Sequence, residues 1–226
     1  MNKKLFKTTF GLPLYGLIVL SNLLAANPDT LICETIYEEK FSDIEEGELP
    51  EDFFILDGDF EVITKEGNKC LKLSGKPVGE HGFLYGPRIS SNSFEVSFSC
   101  LGGVKSRRHS VVAGSLGGMR GLTFRSNPVS KKLSFAFAEE MLSEIPVPNW
   151  SSNNWIKVRL KVIPVEENFK CEITVSRKDI SPELVQKGEI FLKEKEKIRS
   201  GRCALWGFAY SEKEMYWDDL LIRVLQ

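Results

Sequence analysis

Between Ser93 and Leu101 the side chains alternate without a break, with Phe94, Val96 and Phe98 on one face and Glu95, Ser97 and Ser99 on the other. A period of two is the mark of a strand with one face in a core and the other in water. Shorter stretches of the same kind predict strands over Lys69–Leu73, Gly121–Arg125, Leu133–Ala138, Trp155–Ile163 and Phe169–Ser176. Apolar runs at Cys33–Phe41, Phe53–Thr64 and Ser110–Ala113 add more. Asp57-Gly58-Asp59 divides the Phe53–Thr64 run with a hairpin-type turn signal. The chain closes with Cys203–Tyr210 and Met215–Leu225, two apolar strands joined by Ser211-Glu212-Lys213-Glu214. A closing strand of that quality predicts a C-terminus docked in a sheet, because a free end frays. Many short strands with turn signals between them predict an antiparallel sandwich or barrel, not a βαβ architecture. One segment departs from the pattern. Ser181-Pro182-Glu183 reads as a capped helix start and Gly188 as its stop, which predicts a short helical excursion.

The 226 residues suit one large β domain, and 42% apolar with 27% charged residues is enough to bury a core. The N-terminus adds a compartment. Lys3, Lys4 and Lys7 precede an apolar run from Phe10 to Leu24 that is short for a membrane span. Ala25-Ala26 then offers a cleavage site after Ala26. The expectation is a signal peptide over residues 1–26, an exported domain over residues 27–226 in the periplasm or outside the cell, and no stable membrane span after cleavage. The net charge of -1 falls to about -4 without that segment, which gives no reason to propose a nucleic-acid partner.

Export permits disulfides, but five cysteines are an odd number. Cys100 and Cys171 share parity with apolar neighbours and read as small core residues. With two histidines and no Cys-x-x-Cys, a structural zinc site is not expected. Ala113-Gly114-Ser115-Leu116-Gly117 has the outline of a nucleophile elbow. An elbow needs a following helix and a later histidine, and both histidines come earlier, so a glycine-rich turn is the reading. Trp155 shares parity with Lys157, Arg159 and Lys161. An outward tryptophan heading a basic stripe suits an acidic glycan, and a solvated strand face is the plainer account of the same residues. Trp206 and Phe208 are expected to pack in the core.

The order of these features resembles the concanavalin A-like lectin/glucanase superfamily. The resemblance rests on Glu39-Lys40-Phe41-Ser42-Asp43, Gly58-Asp59-Phe60-Glu61-Val62, Leu71-Lys72-Leu73-Ser74-Gly75, Trp155-Ile156-Lys157-Val158-Arg159-Leu160, Ala204-Leu205-Trp206-Gly207-Phe208 and Tyr216-Trp217-Asp218-Asp219-Leu220. LamG-like domains and 3-keto-disaccharide hydrolase-like domains share the layout. The resemblance implies an all-β fold, an antiparallel jelly-roll β-sandwich carrying the one helical excursion, and a lectin-like domain that binds a poly- or oligosaccharide without catalysis. Trp150, Trp155 and Arg159 are the expected ligand contacts, since sugar sites combine aromatic faces with a few polar groups. The Glu-x-Asp-x-x-Glu of the superfamily's glucanases is missing, which argues against a retaining site of that type. Glu139-Glu140 and Glu144 follow a strand, but adjacent residues point to opposite faces, so no retaining pair is expected there. The hydrolase resemblance keeps open a sugar hydrolase whose carboxylates include Glu139 and Glu140, and a cell-surface structural or adhesion module is a further alternative. The superfamily also implies calcium between the first and last strands, with Asp218, Asp219 and Asp43, joined by Glu39, as its ligands.

Overall fold

Alternating residues build two sheets that share one core. The computed structural model describes residues 33–118, 121–137, 140–148, 150–177, 184–193 and 200–226. The expected signal segment, the start of the expected helix and Glu139 lie outside them. In chain order the strands are β1 (Cys33–Glu39), β2 (Phe54–Asp57), β3 (Phe60–Lys65), β4 (Asn68–Leu73), β5 (Glu80–Ile89), β6 (Phe94–Leu101), β7 (Val104–Lys105), β8 (Arg108–His109) and β9 (Val111–Leu116). They continue as β10 (Leu122–Asn127), β11 (Lys132–Phe137), β12 (Glu140–Pro146), β13 (Ile156–Val165), β14 (Asn168–Arg177), β15 (Leu184–Leu192), β16 (Gly201–Phe208) and β17 (Met215–Leu225). One sheet runs β15-β14-β13-β6-β17-β4-β3, with β1 also paired to β17. The facing sheet runs β12-β11-β10-β9-β16-β5-β2, and every described pairing is antiparallel. No helix of the described residues is long and apolar enough to cross a membrane.

The core is the inward half of each alternation. Ile156, Val158, Leu160 and Val162 of β13 lie beside Phe94, Val96, Phe98 and Cys100 of β6 and are buried with them. Across the sandwich Phe98 stacks on Phe124, at 5.8 Å between ring centroids. Trp217 meets Phe83 edge-on at 5.8 Å. The last two strands sit in different sheets, β16 between β9 and β5 and β17 between β6 and β4, so the C-terminal stretch ties both layers together.

Four expectations change. The Asp57-Gly58-Asp59 turn does not make a hairpin: β2 pairs with β5 and β3 with β4, so the turn passes the chain between sheets. Gly58 has φ +101°, and a Cβ there would come within 2.5 Å of His81, leaving only glycine able to make that crossing. The expected helix does not extend to Gly188, which lies inside β15, paired to Ile173 and packed against Ile145. Tertiary pairing outweighs the local Ser-Pro signal. Trp206 and Phe208 lie on the outer face of β16, with Leu205 and Cys203 inward: Trp206 lies half-buried over Gly82, while Phe208 is buried, at 4% exposure, beneath the Arg125 guanidinium at 3.8 Å. Finally, β6 is buried on both faces, with Glu95 at 7%, Ser97 at 2% and Ser99 at 7% exposure. Longer side chains of the strands on either side lie over these short ones.

The buried cysteines are packing residues. Cys100, Cys171 and Cys203 have thiols pushed up to about 12 by burial, and Cys70 to about 11 by burial and then the Asp218 charge, so none is a ready nucleophile. Cys33 is exposed at the start of β1. Ser115 lies inside β9 and is fully buried, paired with Thr123 and Ala204, which is not an elbow.

Candidate functional site

Three backbone irregularities gather side chains at one end of β6. The first is the β3–β4 turn, where Glu66 (φ +53°) and Gly67 (φ +87°) both take left-handed backbone. The second is the loop before β13, where Asn153 (φ +66°) donates its N–H to the Gly102 carbonyl at 2.7 Å and accepts the Val104 N–H at its side-chain oxygen. The third is a bulge in β17: the register against β6 slips between Asp218 and Leu221, and Asp219 stands at φ +53°. Side chains rarely accept this backbone outside glycine, asparagine and aspartate, and residues held there cluster at functional sites. Between them lies a cleft of about 560 Å³, lined by Lys65, Glu66, Asn68, Asn153, Asn154, Trp155, Asp218 and Asp219 over a floor of Cys70, Ser99 and Leu101. Its size suits a small ligand or a few sugar units.

The bulge explains how two adjacent acids reach one cleft. In a regular strand neighbouring side chains point to opposite faces. Here Asp219 takes the Ser99 hydroxyl hydrogen bond at 2.9 Å, and its own N–H donates to the Asp218 carboxylate at 2.7 Å. Burial first, then the nearby charges of Asp219 and Glu39, lift Asp218 from 3.8 to about 6, against the backbone hydrogen bond and Lys157, which pull it down. Glu39 is likewise raised, chiefly by burial. Lys65 reaches over the Tyr216 ring at 4.4 Å beside the cleft.

The Asp218 shift has a measurable consequence. The folded state binds this proton more tightly than the unfolded chain does, so stability falls as pH rises from about 4 to about 6 and is level above that. Asp218→Asn removes the ionised form while keeping an oxygen for the Asp219 N–H. The variant will melt about 2–4 °C above the wild type at pH 8, a shift already discounted for the part of the carboxylate that solvent reaches, and the gap will close near pH 4. Melting curves at both pH values check this, and equal curves at pH 8 would show that Asp218 carries no such strain.

The expected site residues separate. Trp155, Asp218 and Asp219 come together. Trp150 does not: it is 5% exposed and belongs to the core, held where its N–H meets the Val147 carbonyl at 2.9 Å and Lys131 caps its own carbonyl. No ring face is left for a ligand. Arg159 stands on the same sheet face, farther along β13 and outside the cleft. Among the described residues no group of three or more His, Cys, Asp and Glu side chains stands together as a metal site, so Asp43 does not complete one with Asp218 and Asp219. Of the alternative carboxylates, Glu139 lies outside the described residues, Glu144 is engaged by Lys132 at 2.7 Å and by Ser134, and Glu140 is exposed on edge strand β12. Asn153, Asn154 and Glu66 are not among the residues expected from the sequence; Glu66-Gly67 and the Asn153-Asn154 pair are turn signals, and the left-handed backbone of Glu66, Gly67 and Asn153 appears only in the structure.

Comparisons with known proteins agree with this architecture. The lectin UEA-II complexed with galactose superposes with a TM-score of 0.57 at 11% identity, covering 85% of this chain and 99% of that one. Arcelin-5, a lectin-like defense protein from Phaseolus vulgaris, gives 0.56 at 8% identity, with 84% and 97% covered. Lectin I from Ulex europaeus, in complex with the methyl glycoside of α-L-fucose, gives 0.55 at 12% identity, with 84% and 97% covered. No protein-family profile matches the sequence. The curated proteins give no match either. The fold is therefore that of the concanavalin A-like lectins, a jelly roll of two antiparallel sheets. At these identities the likeness is one of fold.

Proposed function

We propose that this protein is an exported, non-catalytic carbohydrate-binding domain whose ligand seats in the cleft of Trp155, Asp218 and Asp219. The observation that carries the reading is the convergence there of a half-buried tryptophan with amide, carboxylate and hydroxyl groups, on backbone bent out of its regular path at three points. A sugar presents an apolar face to an aromatic ring and hydroxyls to such polar neighbours. Arg159 and the basic stripe of β13 lie beyond the cleft, on the same face. Structural neighbours that bind galactose or a fucoside on the same fold add support. The basic residues before Phe10–Leu24 and the Ala25-Ala26 pair support export.

A second reading has one specific observation in its favour. Asp218 and Asp219 stand side by side in the aromatic-lined cleft, with Glu66 on its wall, and burial holds Asp218 protonated to higher pH than an ordinary carboxylate, as a general acid needs. A sugar hydrolase would use Asp218 as the acid and Asp219 as the carboxylate. Thermal melting against a panel of polysaccharides and oligosaccharides, followed by an assay for new reducing ends, separates the readings. A ligand present at a hundred times its dissociation constant adds about 2.7 kcal/mol to the folded state, well within reach of a melt. A shift without new reducing ends is the expected result. A shift with cleavage would replace binding by hydrolysis, and no shift across the panel would remove both.

A further inference from the structure

We propose that the glycan is anionic, bearing carboxylate or sulfate groups, and that it runs from the Trp155 cleft along the outer face of β13, β6 and β17; the inference rests on the carbohydrate-binding reading of that cleft. The strand register sets the pattern. Lys161, Glu95 and Arg223 form one rung across the three strands, Arg159, Ser97 and Leu221 the next, and Lys157, Ser99 and Asp218 the third, where the cleft begins. The middle strand offers only two small hydroxyls and one acid, all nearly buried, so the long cationic side chains on either side close over it.

Glu95 is the organising group. Its carboxylate lies beneath two guanidiniums, with Arg159 Nε 3.9 Å from Oε2 and Arg223 Nη1 3.5 Å from Oε1. An arginine carries five N–H donors in a rigid fork. A single acid beneath both draws the two side chains over β6 at distances longer than a hydrogen bond, and the two remain 51% and 40% exposed to a ligand. Side chains already held in place lose less freedom when they bind, and the fork matches the paired oxygens of an oxyanion. The acids near by are engaged elsewhere: Glu172 sits between Lys161 at 4.0 Å and Lys170 at 3.1 Å, Glu38 of β1, in register with Leu221, pairs with Lys40 at 2.7 Å, and Asp218 and Asp219 belong to the cleft end. Lys157 faces Asp218 across Ser99 and adds a third cation at the junction. The face is thus polarised, acidic at the cleft and basic beyond it. An uncharged ring against Trp155 and an anionic substituent about 13 Å along the strand at Arg159 would satisfy both ends.

The test is binding of the wild-type protein to polygalacturonate, heparin and neutral dextran by calorimetry, at about 0.05 M and about 0.5 M salt. The uronate and sulfate arms distinguish the two sources of negative charge. The expected result is at least about tenfold tighter binding to one polyanion than to dextran, weakened severalfold by the added salt. Lys157→Gln/Arg159→Gln, which leaves Arg223 on the buried Glu95, should lose about tenfold of the polyanion affinity while melting within a few degrees of the wild type. If that variant does not fold, Lys157→Gln alone should still lower the salt sensitivity. Neutral glycans bound as tightly as charged ones would overturn the inference and leave the carbohydrate reading standing. Binding to none of the three, nor to any member of the wider panel, would overturn both.

Discussion

Trp217→Ala will destabilise the domain by about 3–5 kcal/mol, the range for deleting a fully buried tryptophan. The side chain is 0% exposed and touches Phe60 at 6.0 Å and Phe83 at 5.8 Å between ring centroids, spanning both sheets. Across from it stands Gly207, where a Cβ would meet the indole at 2.6 Å, so the opposite strand is shaped to the ring and cannot collapse inward to fill the space. Its position gives the loss a functional side. Trp217 immediately precedes Asp218, the last residue in register before the bulge that brings Asp219 into the cleft beside it. Chemical denaturation will show a lowered midpoint with an unchanged slope. A loss below about 1 kcal/mol would mean that this ring is not the anchor of the last strand.

Trp155→Ala will weaken glycan binding by about tenfold to a hundredfold, roughly 1.4–2.8 kcal/mol, and leave the fold intact. The ring is only half buried, stands just ahead of β13 and forms a wall of the cleft, so its removal takes away contact area without opening the core. Calorimetry of the variant beside the wild type, with the melting temperature as the control for folding, reads the effect directly. Unchanged affinity would move the ligand elsewhere on the molecule. A variant that failed to fold would show that Trp155 is a packing residue.

Alternation made most of the fold legible in the sequence. It marked β6, β13 and β14, because each keeps one apolar face over its whole length. It did not reveal β5, whose alternation is interrupted by Gly82 and Gly86, close-contact positions with Gly82 beneath Trp206 and Gly86 against Ile222 and Tyr37. It failed again at β15, where a local Ser-Pro signal was overruled by pairing with β14. Within the site, Trp155, Asp218 and Asp219 were each visible as residue types. Their meeting was not, because it depends on a bulge and on two left-handed residues, Glu66 and Asn153, in turns far apart along the chain. Trp150 misled for the reverse reason: it lies in a loop with no parity to read, and only the Val147 turn shows that its ring goes inward. Of the acids that the family resemblance implied for calcium, Asp218 and Asp219 meet in the cleft and Asp43 forms no group of three with them.

The central claim is that a sugar sits among Trp155, Asp218 and Asp219. Hydrogen–deuterium exchange of the protein, free and saturated with the tightest glycan of the panel, tests it most directly. Slowed exchange is expected at residues 65–68, 153–157 and 216–219, with the outer face of β16 and β5 unchanged. Protection confined to that opposite sheet, or none at saturation, would contradict it.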